Sequence, residues 1–220
     1  MAKDSTDITV LLDRSGSMND IKTDVIGGFN QFVKQQQEIG DNAVFTLVQF
    51  DSQSIDTVQD AVPIKDAKLL TPDTFIPGAM TPLRDALGQT IIKTGARLSA
   101  IPEQDRPDKV VFCIYTDGLE NHSREFTAIQ IREMTAHQHD VYKWQFVYLG
   151  ASQDAFAAAA DIGIPAAAAA NFSRAQGATA MKVASANVAS YRKSSNAADL
   201  QYSQVQREML EDDEHSKKGK

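Results

Sequence analysis

Several features that mark large classes of protein are missing from this chain of 220 residues. It has a single cysteine, Cys113, so no intramolecular disulfide can form, and a lone thiol inside an apolar run is expected to be a buried core residue. Its 22 basic residues against 29 acidic ones give a net charge of −7. This charge argues against a nucleic-acid partner, because phosphate binding needs clustered Lys and Arg.

Long apolar segments are missing as well. No apolar run approaches the roughly 20 residues of a membrane span. The N-terminus, Met-Ala-Lys-Asp-Ser-Thr-Asp, leads into a short apolar strand and not into the core of a signal peptide. We therefore expect a cytoplasmic protein without a membrane partner.

The common catalytic signatures are also absent from the sequence. There is no Gly-x-Ser-x-Gly nucleophile elbow, no Gly-x-x-x-x-Gly-Lys-Ser/Thr loop and no Gly-x-Gly-x-x-Gly turn. The segment that begins at Asp13 lacks the second Asp, two residues on, that phosphatases of the haloacid dehalogenase type use. We therefore expect no enzymatic activity.

What the chain does contain is an alternation of strand and helix patterns. Short, nearly continuous apolar segments predict buried parallel strands at 8–12, 44–50, 109–115 and 145–149. An alternating segment at 53–64 predicts an edge strand, and 166–172 predicts a short last strand. Helical spacing predicts helices at about 20–38, 83–98, 123–137, 152–163 and 177–192. The order predicts an α/β fold with a doubly wound, mostly parallel central sheet, one antiparallel edge strand and helices on both faces.

The composition divides the chain into two unequal parts. Residues 1–192 have the patterns of one α/β domain. Residues 193–220 are polar and include the acidic run Glu211-Asp212-Asp213-Glu214, which predicts a partly helical or disordered C-terminal tail.

Oxygen-bearing side chains lie at the ends of three of the predicted elements, at one edge of the sheet. Asp13, Ser15 and Ser17 come after the first strand, Thr81 comes directly before a helix, and Asp117 ends the 109–115 strand. In an open α/β sheet, ligands bind beyond the carboxyl ends of the strands. One carboxylate and two hydroxyls at alternate positions, joined by a distant hydroxyl and a distant carboxylate, suit a hard divalent cation better than a nucleophile.

Each of these segments also has a purely structural interpretation. Ser15 and Ser17 are typical turn or N-cap residues, and Thr81-Pro82 is a common way to begin a helix. Asp117-Gly118 is a common turn pair. Taken singly the structural interpretation is favoured, whereas their occurrence together at one sheet edge favours a metal site.

These positions resemble the motif of the von Willebrand factor A domain family, in members with an intact metal-ion-dependent adhesion site. The family motif, Asp-x-Ser-x-Ser with a distant Thr and a distant Asp-Gly, is matched at Asp13, Ser15, Ser17, Thr81 and Asp117. The resemblance covers about 6–192 and implies a Rossmann-like fold, as in simple intracellular members from bacteria or bacteriophages. It implies that the hydroxyls approach the cation directly or through water, and that the carboxylates hold it directly or from behind water.

The resemblance implies a function in binding. The cation would be Mg²⁺ (or Mn²⁺ or Ca²⁺), and a partner protein would present an Asp or Glu to it. The candidate rim of this partner site comprises Arg14, Met80, Glu120, Asn121 and His122, for which a packing or solvated-loop role stays open. The alternative is a structural or assembly adaptor, of a stress-response or ATPase complex or of a virus in its host cytoplasm, in which the metal only stabilises the fold.

Overall fold

A six-stranded sheet forms the centre of the protein, in a computed structural model that describes residues 4–151 and 154–211. The strands lie in the spatial order β3-β2-β1-β4-β5-β6. Only β3 runs antiparallel to its neighbour, and the other paired strands are parallel. The strands are β1 (Thr6–Asp13), β2 (Ala43–Phe50), β3 (Ile55–Pro63), β4 (Lys109–Thr116), β5 (Gln145–Gly150) and β6 (Ala169–Asn171). This confirms the predicted doubly wound sheet with one antiparallel edge strand.

Helices cover both faces of this sheet. α1 packs against α5, whereas α2 packs against α3 and α3 against α4. The chain moves in opposite directions from β1 to β2 and from β4 to β6, so right-handed crossovers place α1 on one face and α3 and α4 on the other. Among the residues described, no helix is long and apolar enough to cross a membrane. The helices are α1 (Lys22–Ile39), α2 (Leu83–Ser99), α3 (Ala128–Tyr142), α4 (Ala155–Asp161), α5 (Gly177–Ser194) and α6 (Gln204–Glu211).

The core lies on both sides of the central strands. All 8 residues of β1 and all 8 of β4 are buried, as expected for a parallel strand covered on both faces. Cys113 lies in β4 and is buried, as predicted, and this burial raises the pKa of its thiol to about 12. The thiol is therefore a neutral core group.

The start of α3 differs from the prediction. The helix begins at Ala128 and not at residue 123 or 124. The carboxylate of Asp85 accepts hydrogen bonds from the backbone N–H groups of Arg124 (2.8 Å), Glu125 (3.0 Å) and Phe126 (2.9 Å), which holds this segment outside the helix. Thr127 then forms a capping box with Gln130 and begins the helix.

The interface between α1 and α5 depends on one small residue and one buried cation. An ideal Cβ at Gly28 would lie 2.9 Å from Met181 Cβ and 3.0 Å from Ala178 Cα. The two helices can therefore approach this closely only because residue 28 has no side chain. At the C-terminal end of α1, the buried Arg192 side chain donates to the carbonyl oxygens of Gln36 (2.6 Å) and Gly40 (2.9 Å). The last carbonyls of a helix have no partner within the helix, so Arg192 supplies donors that the helix itself lacks. These contacts fix α5 against the domain.

The segment after α5 packs against the last strand. Leu210 of α6 is buried, and its carbonyl accepts the backbone N–H of Ser173 at 2.8 Å. Arg207 donates to the carbonyls of Ala166 (2.7 Å) and Ala169 (3.2 Å), beside the edge of β6. The domain boundary at residue 192 stays a prediction. Most of the acidic run and the predicted helix start at 152–153 lie outside the described residues.

The sheet has its topological switch point at β1. The chain leaves β1 towards β2 on one side, and β4 lies on the other side, with Leu12 paired to Tyr115. The carboxyl ends of β1 and β4 are therefore adjacent, and a crevice at such a point is the usual ligand position in open α/β sheets. Asp13 ends β1, and Asp117 directly follows β4.

Candidate functional site: a divalent-cation centre

The carboxylate of Asp13 is fixed at the end of β1 by two hydrogen bonds. Its Oδ1 accepts the backbone N–H of Ser15 at 2.7 Å, and its Oδ2 accepts the hydroxyl of Thr116 at 2.5 Å. The side chain is fully buried, so it is held without help from bulk water. Asp13 therefore has one orientation before any ligand arrives.

Ser15 and Ser17 connect the loop after β1 to the turn after β4. Ser15 Oγ lies 3.2 Å from Ser17 Oγ, and the Ser17 hydroxyl donates to Asp117 Oδ1 at 2.5 Å. Ser15 occupies the N-cap position of the short 3₁₀ turn Gly16–Ile21, yet its side chain makes no capping hydrogen bond. Ser15 therefore has the N-cap position that the structural interpretation predicts, but its hydroxyl does not cap the turn.

Thr81 belongs to the loop before α2, and its backbone is held by Asn121. Thr81 N–H donates to Asn121 Oδ1 at 2.9 Å, and Asn121 N–H donates to the Thr81 carbonyl at 3.1 Å. The helix begins at Leu83 with Pro82 at the N-cap position, so Thr81 is not its N-cap. This loop is also tied to the first segment, because Gly16 N–H donates to the Ala79 carbonyl at 3.0 Å.

Gly118 shows how closely the three segments converge. An ideal Cβ on Gly118 would lie 3.0 Å from Thr81 Oγ1, 3.7 Å from Ser17 Oγ and 3.8 Å from Asp13 Oδ2. Oxygen atoms from the β1 loop and from the loop before α2 therefore face one small space beside the turn that follows β4. Asp117 lies next to Gly118 in this turn, where Gly118 N–H donates to Thr116 Oγ1 at 3.1 Å.

The two carboxylates of the site are electrostatically unfavourable on their own. Burial raises the pKa of Asp13 to about 6, against the opposing effect of its hydrogen bonds from Thr116 and Ser15. Burial also raises the pKa of Asp117, against the opposing effects of Ser17 and Arg174. Both groups would hold their negative charge more readily beside a cation.

Asp117 also has an unsatisfied oxygen. Its Oδ2 is buried and accepts no hydrogen bond, although Arg174 Nη2 lies 3.3 Å away in an ion pair. The two observations agree, because that contact has the distance of an ion pair but not the geometry of a hydrogen bond. An orphaned carboxylate oxygen at this position is what a missing cation ligand would leave.

These donors fit a hard divalent cation. They are two carboxylates and three hydroxyls, and oxygen ligands of this kind suit Mg²⁺, Ca²⁺ and Mn²⁺. Within residues 4–151 and 154–211 there is no group of three or more His, Cys, Asp and Glu that could hold a metal. A cation at this site would therefore depend on hydroxyl oxygens for much of its coordination.

The predicted rim residues have different surroundings. Arg14 is engaged with two acidic residues of the β2–β3 region, Asp51 at 2.9 Å and Asp56 at 3.0 Å. The carboxylate of Glu120 accepts the backbone N–H of Arg84 in α2 at 2.9 Å, and it also accepts the backbone N–H groups of His122 and Ser123. Glu120 thus connects the segment after β4 to α2. Met80 is exposed, and its carbonyl accepts the N–H of Ser52 at 2.9 Å. Of the remaining two, Asn121 holds Thr81, and His122 is half-buried.

Two residues at the site were not predicted. Thr116 holds Asp13, and its place directly before Asp117 at the end of β4 is a signal that could have suggested a role. Arg174 comes from the turn before α5 and reaches Asp117 across the sheet edge. No local pattern in the sequence marks Arg174, because only the folded topology brings it to the site.

Comparison with known proteins identifies the fold. No protein-family model and no curated protein matches the sequence. Among solved structures, the chain is similar to proximal thread matrix protein 1 from the mussel byssus, with a TM-score of 0.59, 18% identity and coverage of 81% of this chain and 46% of that one. It is also similar to a von Willebrand factor type A protein from Catenulispora acidiphila, with a TM-score of 0.55, 14% identity and coverage of 85% and 43%.

Another structure of the mussel protein is described with a zinc-occupied MIDAS motif, and it matches with a TM-score of 0.53, 18% identity and coverage of 81% and 46%. The chain thus spans less than half the length of each of these structures. At these identities the similarity concerns the fold alone. Together with the strand order, it shows that the chain has a von Willebrand factor A-like, Rossmann-type α/β fold.

Proposed function

We propose that the protein is a divalent-cation-dependent binding module that captures an acidic side chain of a partner protein. The observation that carries this proposal is the convergence of oxygens from Thr81, Ser17 and Asp13 on one space beside Gly118. The cation we propose is Mg²⁺, with Mn²⁺ or Ca²⁺ as substitutes, since all three prefer oxygen ligands.

The surrounding residues support a preorganised site. Thr116 and the Ser15 backbone orient Asp13, and Ser17 orients Asp117, so little ordering is needed when a cation enters. A cation bound there would supply a Lewis-acidic centre for one further anionic oxygen, and hydroxyl ligands would not reduce its charge. A carboxylate from another protein is the ligand that this chemistry favours.

We propose binding and not catalysis for this site. The two carboxylates of the proposed ligand set, Asp13 and Asp117, are the groups that would hold the cation. Their hydrogen bonds already engage them with the site's own hydroxyls. A base that is committed to a metal and to a hydroxyl donor has no free position beside a substrate.

A displayed library of random peptides tests the proposal without knowledge of the natural partner. Peptides are captured on the immobilised protein in Mg²⁺ and eluted with EDTA. We expect the eluted peptides to share an Asp or Glu, because the cation would select a carboxylate. Asp13→Asn, which keeps the size of the side chain, and Thr81→Ala should each abolish this capture.

The control is Asp73→Asn, which changes an exposed aspartate in the loop between β3 and α2 and should capture peptides as the wild type does. If the wild-type protein binds no cation, or if its peptides stay bound in EDTA, the proposal is wrong. Cation binding that stabilises the fold without selecting acidic peptides would instead support the adaptor alternative.

A further inference from the structure

Arg174 forms a bridge between two acidic residues at the candidate site. It begins the short turn Arg174–Gln176 that connects β6 to α5. Its Nη2 lies 3.3 Å from Asp117 Oδ2, and its Nη1 donates to Asp20 Oδ2 at 3.2 Å. Asp20 belongs to the 3₁₀ turn Gly16–Ile21, which follows β1 and Ser15. The guanidinium thus lies across the outer side of the site.

The two ion pairs of Arg174 differ in strength, because one acidic partner is exposed and the other is buried. The Asp20 side chain is 71% exposed, so water screens its pair with Arg174, and such exposed pairs contribute little to stability. The Asp117 side chain is 0% exposed, and the Oδ2 atom that faces Arg174 accepts no hydrogen bond. Arg174 is therefore the positive charge beside a buried oxygen that also belongs to the proposed ligand set.

We propose that Arg174 is a built-in competitor for the divalent cation, which has to displace the guanidinium from Asp117 in order to bind. This inference rests on the proposed function, because it concerns the same site. A guanidinium and a divalent ion cannot share one buried carboxylate oxygen at contact distance without strong repulsion. The half-exposed Arg174 side chain has solvent on one side into which it can withdraw.

Displacement would also release the turn that carries Arg174. The residue before it, Ser173, donates its N–H to the Leu210 carbonyl at 2.8 Å, so the turn is attached to α6. Arg174 connects this turn to the loop after β1 through Asp20 and to the turn after β4 through Asp117. Cation binding is therefore expected to loosen the 173–176 segment, because the Arg174 contacts of this segment are lost.

The test compares cation affinity in Arg174→Gln and in a matched control. The control is Arg132→Gln, which also removes one positive charge and breaks an exposed pair, with Asp161 at 3.5 Å on α3 and α4. Calorimetric titration with MnCl₂ of EDTA-treated protein measures Kd for each. We expect Arg174→Gln to lower Kd by about one order of magnitude relative to the wild type, because a competing charge is lost, and Arg132→Gln to leave Kd unchanged.

Hydrogen exchange gives a second readout that does not depend on affinity. In the wild type, Mn²⁺ should speed exchange in the 173–176 segment, and in Arg174→Gln this segment should exchange at the same rate with and without Mn²⁺. An unchanged or raised Kd in Arg174→Gln would overturn the inference while leaving the cation site intact. Absence of Mn²⁺ binding in all three proteins would overturn both this inference and the proposed function.

Discussion

Gly118 lies where the segments that carry the proposed cation ligands meet, and we expect its substitution by alanine to block cation binding. An ideal Cβ at this position is 3.0 Å from Thr81 Oγ1, 3.7 Å from Ser17 Oγ and 3.8 Å from Asp13 Oδ2. The backbone of Gly118 is not among those in the left-handed region, so alanine adds this carbon without backbone strain. The change therefore acts on the site itself.

The distances set the size of the expected effect. The contact with Thr81 Oγ1 is too short for a carbon and an oxygen, so Thr81 has to move by a few tenths of an ångström. Ligand oxygens lie about 2.0–2.1 Å from Mg²⁺, and a site tolerates errors of about 0.2 Å. We expect Kd for the cation to rise at least about tenfold, which is about 1.4 kcal/mol. The same crowding should destabilise the fold by only about 1 kcal/mol.

Calorimetric titration with Mg²⁺ and Mn²⁺ after EDTA treatment measures this effect, and circular dichroism checks the fold. The matched control is Gly95→Ala in α2, where a new Cβ meets no atom within 4 Å. We expect this control to keep the cation affinity and to gain up to about 1 kcal/mol from its better helix propensity. Wild-type affinity in Gly118→Ala would refute the assignment of the converging oxygens as cation ligands.

Four further predictions concern the fold. Gly28→Ala should lower the free energy of unfolding in urea by about 1–2 kcal/mol, because the new Cβ would lie 2.9 Å from Met181 Cβ. Arg192→Met should cost about 3 kcal/mol in the same assay, because it leaves carbonyls at the end of α1 without a donor. Burial raises the pKa of Asp7, against the opposing effect of its ion pair with Arg97 in α2. The contribution of Asp7 to the free energy of unfolding is therefore largest below pH 3.8 and falls as the pH rises through the pKa of the folded state. The wild type should therefore lose stability relative to Asp7→Asn between pH 4 and 7 (about the range of carboxyl titration). Relative to Asp56→Asn, the wild type should instead gain stability as the pH rises over the same range, because hydrogen bonds lower the pKa of Asp56 in the folded state.

The sheet was predictable because each central strand is a nearly continuous apolar run. The predicted strand at 109–115 corresponds to β4, with one more residue at its end. The polar residues that follow β1 and β4 had to lie close together once these strands were parallel neighbours, and the structure places them so. Strand type and strand order therefore carried the prediction of where the candidate site lies, although not the prediction of its ligands.

The features that sequence reasoning missed depend on contacts between distant segments. The start of α3 was placed too early because helix periodicity continues back through 123–127, whereas the carboxylate of Asp85, in another helix, binds those backbone amides. The position of Arg174 depends on the turn before α5, which the sheet topology brings beside β4. Neither contact has a local pattern, since side-chain hydrogen bonds across the fold leave no periodicity in either partner.

The electrostatics of the candidate site explain why cation binding and folding would be linked. Burial raises the pKa of Asp13 to about 6 and also raises that of Asp117, so near pH 7 both ionised groups are less favourable in the folded chain than in the unfolded one. Arg174 offers one positive charge to Asp117 and makes no contact of this kind with Asp13 among the ion pairs of the described residues. A divalent ion between the two carboxylates would neutralise both. Because such an ion binds only the folded chain, at 100 times its Kd it would add about 2.7 kcal/mol to the free energy of unfolding. The two buried aspartates are therefore better explained as cation ligands than as contributors to the stability of the cation-free fold.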